Sequence, residues 1–511
     1  KQVRSAADGS FLAKILPGTY TVLAVAQGFN PVTLGEVQVG RAAELNYGFK
    51  LERAGGGNTL PEKRLDRNSS KWRIRAAQNQ RSIYQNQDGD VPVDENKADD
   101  SAVEKSVAVA EREEETKKRS GQTIVETYFA ESDDGSFAGV NFATLLPVSE
   151  NSEILIAGQS GTGRAPQRIE GNLKFRPNET HQIRFNASFG NFGKVKIENS
   201  DQTLGQVSVQ AQDEWRVRDD LILVFGLDYS RFVGAGDDFS INPRLGLQYD
   251  LNAKTRVRSA FTAAPTEEKN WARAIELEDS TVAFSEPVAI EDFAVENGRP
   301  QMNKSSRFEF GVERVLDNDS SVEANAFFDL TLGRGVGLTA LPFEVLGTEN
   351  FSDFVVNQQG KSQGFRVVYT RRLTNRLSTS AGFAYGSGQK LSDKGISNPA
   401  DVFENDFFRT YFGQFDADLK TGTNIKTIFR LSPQATVFAI DPFQGRLAIY
   451  DPGLSVLVTQ SLPTLGLPIR AQATLDARNL LDFQTSAIGE EGSLRLNAQG
   501  RMVRGGISLR F

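Results

Sequence analysis

The sequence predicts an all-β protein: a large antiparallel transmembrane β-barrel of about 18 strands, within a range of roughly 16 to 22, behind a small N-terminal β-sandwich. Three features predict it. From residue 121 onward apolar and polar residues alternate with a period of two. Many of the alternating segments run about ten to fourteen residues, against a globular mode of about five to six, and a tilted spanning strand needs about nine to eleven. Short connections such as 218–220, 252–254, 317–319, 374–375 and 421–423 alternate with long ones at 264–303, 334–358, 388–406 and 483–500.

Composition fits this class and removes others. The 511 residues are 39% hydrophobic and 24% charged, with mean hydropathy −0.37, and no apolar run approaches the roughly 18 residues of a spanning helix. Barrel strands average a greasy outer face with a polar inner one, so a polar mean is expected of them. The absence of cysteine removes disulfides, thiolate chemistry and Cys-ligated zinc. A single histidine, His181, removes multi-His metal sites. It stands at the start of an alternating strand, where a structural role beside a turn is expected. A net charge of −7 argues against a nucleic-acid partner. No catalytic residue, metal site or cofactor is expected, and the chain does not read as an enzyme.

Residues 1–51 carry β signals, with a turn at Pro17-Gly18 and one strand face holding Tyr20, Val22, Ala24 and Ala26. The Asp8-Gly9, Phe11, Pro17-Gly18, Tyr20 and Gly28-Phe29 pattern resembles the C-terminal part of a carboxypeptidase-regulatory-like β-sandwich. The resemblance implies that the domain's first strands precede Lys1, and it implies no peptidase chemistry. Residues 52–120 differ: 28 of the 69 are charged and none alternate, which predicts a charged linker with short helices. Insertion of the segment around Trp72 into a barrel lumen is the alternative.

Residues 121–511 are the barrel. Ile183, Phe185, Ala187 and Phe189 alternate with Arg184, Asn186, Ser188 and Gly190; Phe308, Phe310 and Val312 alternate with Arg307, Glu309 and Glu313. Counting such segments places strand starts near 121, 136, 152, 165, 179, 204, 220, 238, 255, 304, 321, 359, 376, 407, 424, 445, 468 and 501. An even number brings both ends of the barrel to one side of the membrane. The final segment puts Val503, Ile507, Leu509 and Phe511 on one face, and this ending resembles the signal by which the barrel assembly machinery recognises its clients, with Phe511 as the key residue.

Four segments resemble the TonB-dependent receptor barrels. They are Gln212-Asp213-Glu214-Trp215-Arg216-Val217 with its following strand, Asn242–Asp250, Arg256–Phe261, and Ala477-Arg478-Asn479-Leu480-Leu481-Asp482, in family order over roughly residues 204–511. The resemblance implies a bacterial outer-membrane location with the N-terminal region in the periplasm, and solute uptake or binding. Outer-membrane lipid, the assembly machinery, and TonB or a periplasmic or surface protein would be its partners. One departure stands out: the family's plug domain and TonB box are not found, and the 69 residues of 52–120 are too few for that plug. About 18 strands without a plug would leave an aqueous channel, so the alternative function is a passive pore or a structural, adhesive, partner-bound surface protein.

The candidate functional residues are the charged ones expected to face the lumen: Arg184, Arg244, Arg307, Glu309, Glu313, Arg366, Arg470, Asp476 and Arg478. They can hold the wall together through cross-strand ion pairs or select solutes. The acidic stretch 264–303, with Glu267, Glu268, Glu276, Glu278 and Asp279 among its carboxylates, lacks the regular spacing of a calcium loop and is expected to be a solvated outer loop.

Overall fold

The computed structural model describes the backbone of residues 18–24 and 32–39 and, apart from short gaps, residues 121–511; the longest stretches left out there are 264–270, 288–292, 342–351, 441–452 and 464–468. The linker 52–120, with its Trp72 segment, lies outside the described residues, as does most of 1–51. Within 1–51, β1 (Gly18–Ala24) pairs antiparallel with β2 (Val32–Val39), Tyr20 opposite Val37; the expected turn at Pro17-Gly18 lies at the edge of the described residues.

The barrel wall begins with β3 (Gln122–Ser132), β4 (Gly135–Ser149), β5 (Ser152–Thr162), β6 (Gln167–Phe175) and β7 (His181–Ile197). It continues through β8 (Ser200–Arg218), β9 (Leu221–Gly234), β10 (Phe239–Asn252) and β11 (Thr255–Ala263). A long connection then carries two hairpins, β12 (Trp271–Leu277) with β13 (Ser280–Ser285), and β14 (Ala294–Glu296) with β15 (Arg299–Gln301). The wall resumes with β16 (Ser306–Val315), β17 (Ser320–Leu341), β18 (Ser352–Thr374), β19 (Leu377–Leu391) and β20 (Phe403–Asp418). It ends with β21 (Thr423–Leu431), β22 (Gly453–Leu462) and β23 (Arg470–Arg478), a third loop hairpin of β24 (Ser486–Gly489) and β25 (Gly492–Leu496), and β26 (Met502–Arg510).

Wall strands pair antiparallel in chain order, and β26 pairs with both β23 and β3, which closes an 18-stranded barrel. Closure removes the exposed edges that an open sheet would present for aggregation. At the seam the Phe511 N–H donates to the Thr123 carbonyl at 2.9 Å.

The alternation sorts the two faces as expected. Phe129, Phe142, Phe185, Phe225, Leu245, Phe308, Phe310, Phe365 and Phe429 are exposed, while their polar sequence neighbours Glu126, Asn141, Arg184, Arg244, Arg307, Glu309, Arg366 and Arg430 are buried. The outer surface is therefore apolar over far more area than a soluble monomer exposes, and the inner one is charged.

Strands run further than the sequence suggests in one place. The stretch 334–358, expected as a loop, is mostly hairpin: β17 reaches Leu341 and β18 begins at Ser352, with the register broken between Thr331 and Arg334. Gly333, at φ +69°, makes that break, so the pairing resumes beyond it. The loop contrast holds from β11 onward. Connections 264–305, 392–402, 432–452 and 479–501 all lie at one end, whereas 133–134, 163–166, 198–199 and 235–238 at that end are as short as the turns at the other.

Candidate functional site: the charged inner wall and the loops folded onto it

Inward positions of adjacent strands lie opposite one another, so charges of opposite sign can meet across the ladder. They do so around much of the wall. Arg244 Nη2 donates to Asp228 Oδ2 at 2.6 Å, Arg258 Nη2 to Glu313 Oε2 at 2.6 Å, and Arg366 Nη2 to Glu323 Oε1 at 3.0 Å. Arg256 pairs with Asp250 and Lys174 with Glu153 in the same way, whereas Arg478 pairs with Asp476 along β23 itself. Arg307 is the most connected: it donates to both oxygens of Asp329 at 2.6 and 2.7 Å and to Glu309 at 3.2 Å. Its guanidinium also lies 4.7 Å from the centre of the Phe327 ring. Charge-assisted, bidentate pairs of this kind are the strong ones.

Two segments of the long-loop end fold onto this wall. The first is the β12–β13 hairpin. Leu277, Val282 and Phe284 are buried in one cluster with Ile124, Ala143, Leu145, Leu155 and Ala157 from the inner face of β3, β4 and β5. Beside that cluster, Gln159 clasps the hairpin backbone: its Nε2 donates to the Ser285 carbonyl at 2.9 Å, and its Oε1 accepts from the Ser285 N–H at 2.8 Å. Gln159 Nε2 also donates to Asn141, Asn141 donates to Glu126, and Arg504 stands 3.5 Å from Glu126. The chain of contacts runs across the closing seam, from β26 through β3 and β4 to β5. Burying Val282 and Phe284 contributes about 1.5–3 kcal/mol each.

The second is the segment 436–440. Arg307 Nη2 donates to the Ile440 carbonyl at 2.7 Å, Arg334 Nη1 to the Phe438 carbonyl at 2.6 Å, and Gln358 Nε2 to the Val437 carbonyl at 3.0 Å. The Phe438 ring meets Phe408 edge to face at 4.8 Å. Buried backbone carbonyls need partners, and here the wall's own side chains supply them.

A third contact lies nearer the mouth. Phe293 packs with Phe192 and Phe232 in a cluster containing Leu204, Ala235 and Met302, and Asn357 makes two hydrogen bonds with the Val295 backbone. Gly335 permits this approach, since a Cβ there would lie 2.2 Å from the Phe293 carbonyl carbon and 2.5 Å from the Ala294 nitrogen.

Of the residues singled out in the sequence, Arg184, Arg244, Arg307, Glu309, Arg366, Asp476 and Arg478 are buried on the charged face, and Glu313 is half-buried against Arg258. Arg184 lies in a row with Glu153, Lys174 and Gln212 across β5 to β8. Arg470 is exposed at the first residue of β23 and joins no buried pair among the described residues. The expectation of a solvated loop over 264–303 is corrected, because its apolar residues Leu277, Val282, Phe284 and Phe293 are buried against the wall. His181 stands beside the turn as expected, on the outward face. Its Nδ1 is 2.7 Å from Asp213 Oδ2, and its ring stacks on Trp215 at 5.6 Å.

Reasoning from sequence missed Arg256, Arg258 and Arg504, which share the inward parity of their strands and were open to the same argument. It also missed Gln159, Arg334 and Gln358. Their partners lie 126, 104 and 79 residues away, and no local pattern marks them.

No known family model and no curated protein matches the sequence. Among solved structures, the siderophore receptor PirA of Pseudomonas aeruginosa is similar at 12% identity and TM-score 0.36, covering 77% of this chain and 81% of that one. PirA of Acinetobacter baumannii gives 11%, 0.35, 77% and 81%. The FrpB iron transporter of Neisseria meningitidis gives 12%, 0.34, 74% and 63%.

Proposed function

We propose that this chain is a bacterial outer-membrane barrel of TonB-dependent-receptor type that takes up or binds a solute, with its N-terminal region in the periplasm. The observation that carries the reading is the sorting of faces in a closed 18-stranded barrel: an apolar outer belt to meet lipid, and a polar inner wall knit by ion pairs. The wall charges serve first to hold neighbouring strands together. The deeply buried ones, Arg307 and Arg366 among them, are proposed to act in this structural way rather than to touch solute. Phe511 is the proposed mark for the assembly machinery, with outer-membrane lipid and TonB as further partners.

Uptake of a panel of labelled solutes by cells expressing the chain, with and without a protonophore, tests this. Uptake of at least one solute that collapses with the protonophore is expected. Uptake indifferent to the protonophore would mean a passive pore, and no uptake would leave a structural surface protein.

A further inference from the structure

The long connection between β11 and β16 leaves the wall at one side of the barrel and is next described on the other. In the ring of 18 strands, β11 and β16 stand nine places from β26 and β3, which makes them diametrically opposite. Yet β12–β13 packs on the inner face of β3, β4 and β5, beside that seam.

The chain is long enough for this. Strands spaced about 4.8 Å and tilted about 40° make an 18-stranded wall about 35 Å across. The hairpin stands about 10 Å off the wall it packs on, leaving about 25 Å to cross. Eight residue steps separate Ala263 from Trp271, and eight separate Ser285 from Phe293, each with a reach of about 26–29 Å. Phe293 is back at the starting side, bridged to Arg334 of β17.

The hairpin also goes deep. Ser285 sits at the level of Gln159, and from there β13 runs towards the short-turn end. There Leu277 meets the cluster containing Ile124, the third residue of β3, and Leu145, which pairs with Gln122. Opposite, the segment 436–440 narrows the lumen from β16 to β20.

We infer that the β12–β13 hairpin is the barrel's own lumenal plug: part of a long connection that starts at β11, it seats its apolar face on a patch built into β3–β5 and is held there by Gln159. The patch of Ile, Leu and Ala on β3–β5 is apolar where an aqueous channel would be wetted, and Leu277, Val282 and Phe284 of the hairpin cover it, as Phe438 packs on a second apolar patch around Phe327 and Phe408. The inference rests on the reading of the chain as a membrane barrel with a solute path, and it makes that path closed at rest.

Two measurements on the full-length protein test it. In planar lipid bilayers the unaltered barrel is expected to stay shut or nearly so, and a variant with 272–284 replaced by a short Gly-Ser linker to conduct at least tenfold more. Equal conductance in the two, with the variant shown to be folded by its heat-dependent gel migration, would overturn the plug. The chain has no cysteine, so single cysteines report directly, and they remain informative if the linker variant does not fold. Leu277→Cys is expected to react with a water-soluble maleimide at least tenfold more slowly than Ile488→Cys, which is exposed. Adding Gln159→Ala should remove most of that protection. Equal reactivity of Leu277→Cys and Ile488→Cys would place the hairpin in water and end the proposal. If the plug tests succeed but cells take up no solute, the plug stands and the uptake reading falls.

Discussion

Arg307 shows how much one side chain of this wall does. It is 1% exposed, neutralises Asp329 and Glu309, lies against Phe327, and holds the Ile440 carbonyl of a loop 133 residues away. Removing it takes a cation away from two buried carboxylates. Breaking a buried pair by deleting one partner costs about 3–5 kcal/mol, because the remaining charge is uncompensated. Arg307→Ala is therefore expected to lower barrel stability by that amount in urea unfolding followed by gel migration. The double change Arg307→Met with Asp329→Leu should cost less than Arg307→Ala, since it removes both charges; a larger cost would mean the pair is not the main contribution. Arg307 was legible in the sequence because its neighbours Phe308 and Phe310 fixed the strand's parity. Its hold on Ile440 was not, since parity says which face a side chain is on and nothing about which loop returns to it.

At the scale of elements, the same distinction explains what the sequence revealed. The starts of β5 and β11 coincide with the predicted 152 and 255, because polar turns precede clean alternation there. The described part of β22 begins at Gly453, and the expected start near 445 lies outside the described residues. The reach of β17 to Leu341 was hidden by Gly333, Gly335 and Gly337, which look like a loop and act instead as a register break and a site of close approach. Gly335 gives the element-scale prediction. Gly335→Val forces the Phe293 backbone away from β17 and should release a packed phenylalanine, a loss comparable to the roughly 3–5 kcal/mol of Phe→Ala in a core. In the folded barrel, chymotrypsin cleavage after Phe293 is expected to accelerate at least tenfold, with the wall intact. An unchanged rate would mean that Phe293 does not depend on that contact.

On the scale of the whole molecule, the closed barrel was predictable because a single physical rule, alternation of apolar and polar residues across a barrel wall, repeats 18 times and tolerates local error. The filling of the lumen has no such rule. It depends on which loop residues are apolar and on whether a matching patch exists elsewhere on the wall, as Ile124, Leu145 and Leu155 do for Leu277 and Phe284. The sequence shows no separate plug domain and offers the Trp72 segment as the alternative filling, so the loop hairpin reads as solvated chain. In the proposed reading the greasy face of the wall meets lipid. The most direct test is gel migration of membrane extracts before and after boiling. A detergent-soluble species found with the membranes, whose migration changes on boiling, is the predicted result; a protein that leaves the membranes in plain buffer and migrates alike in both lanes would contradict it.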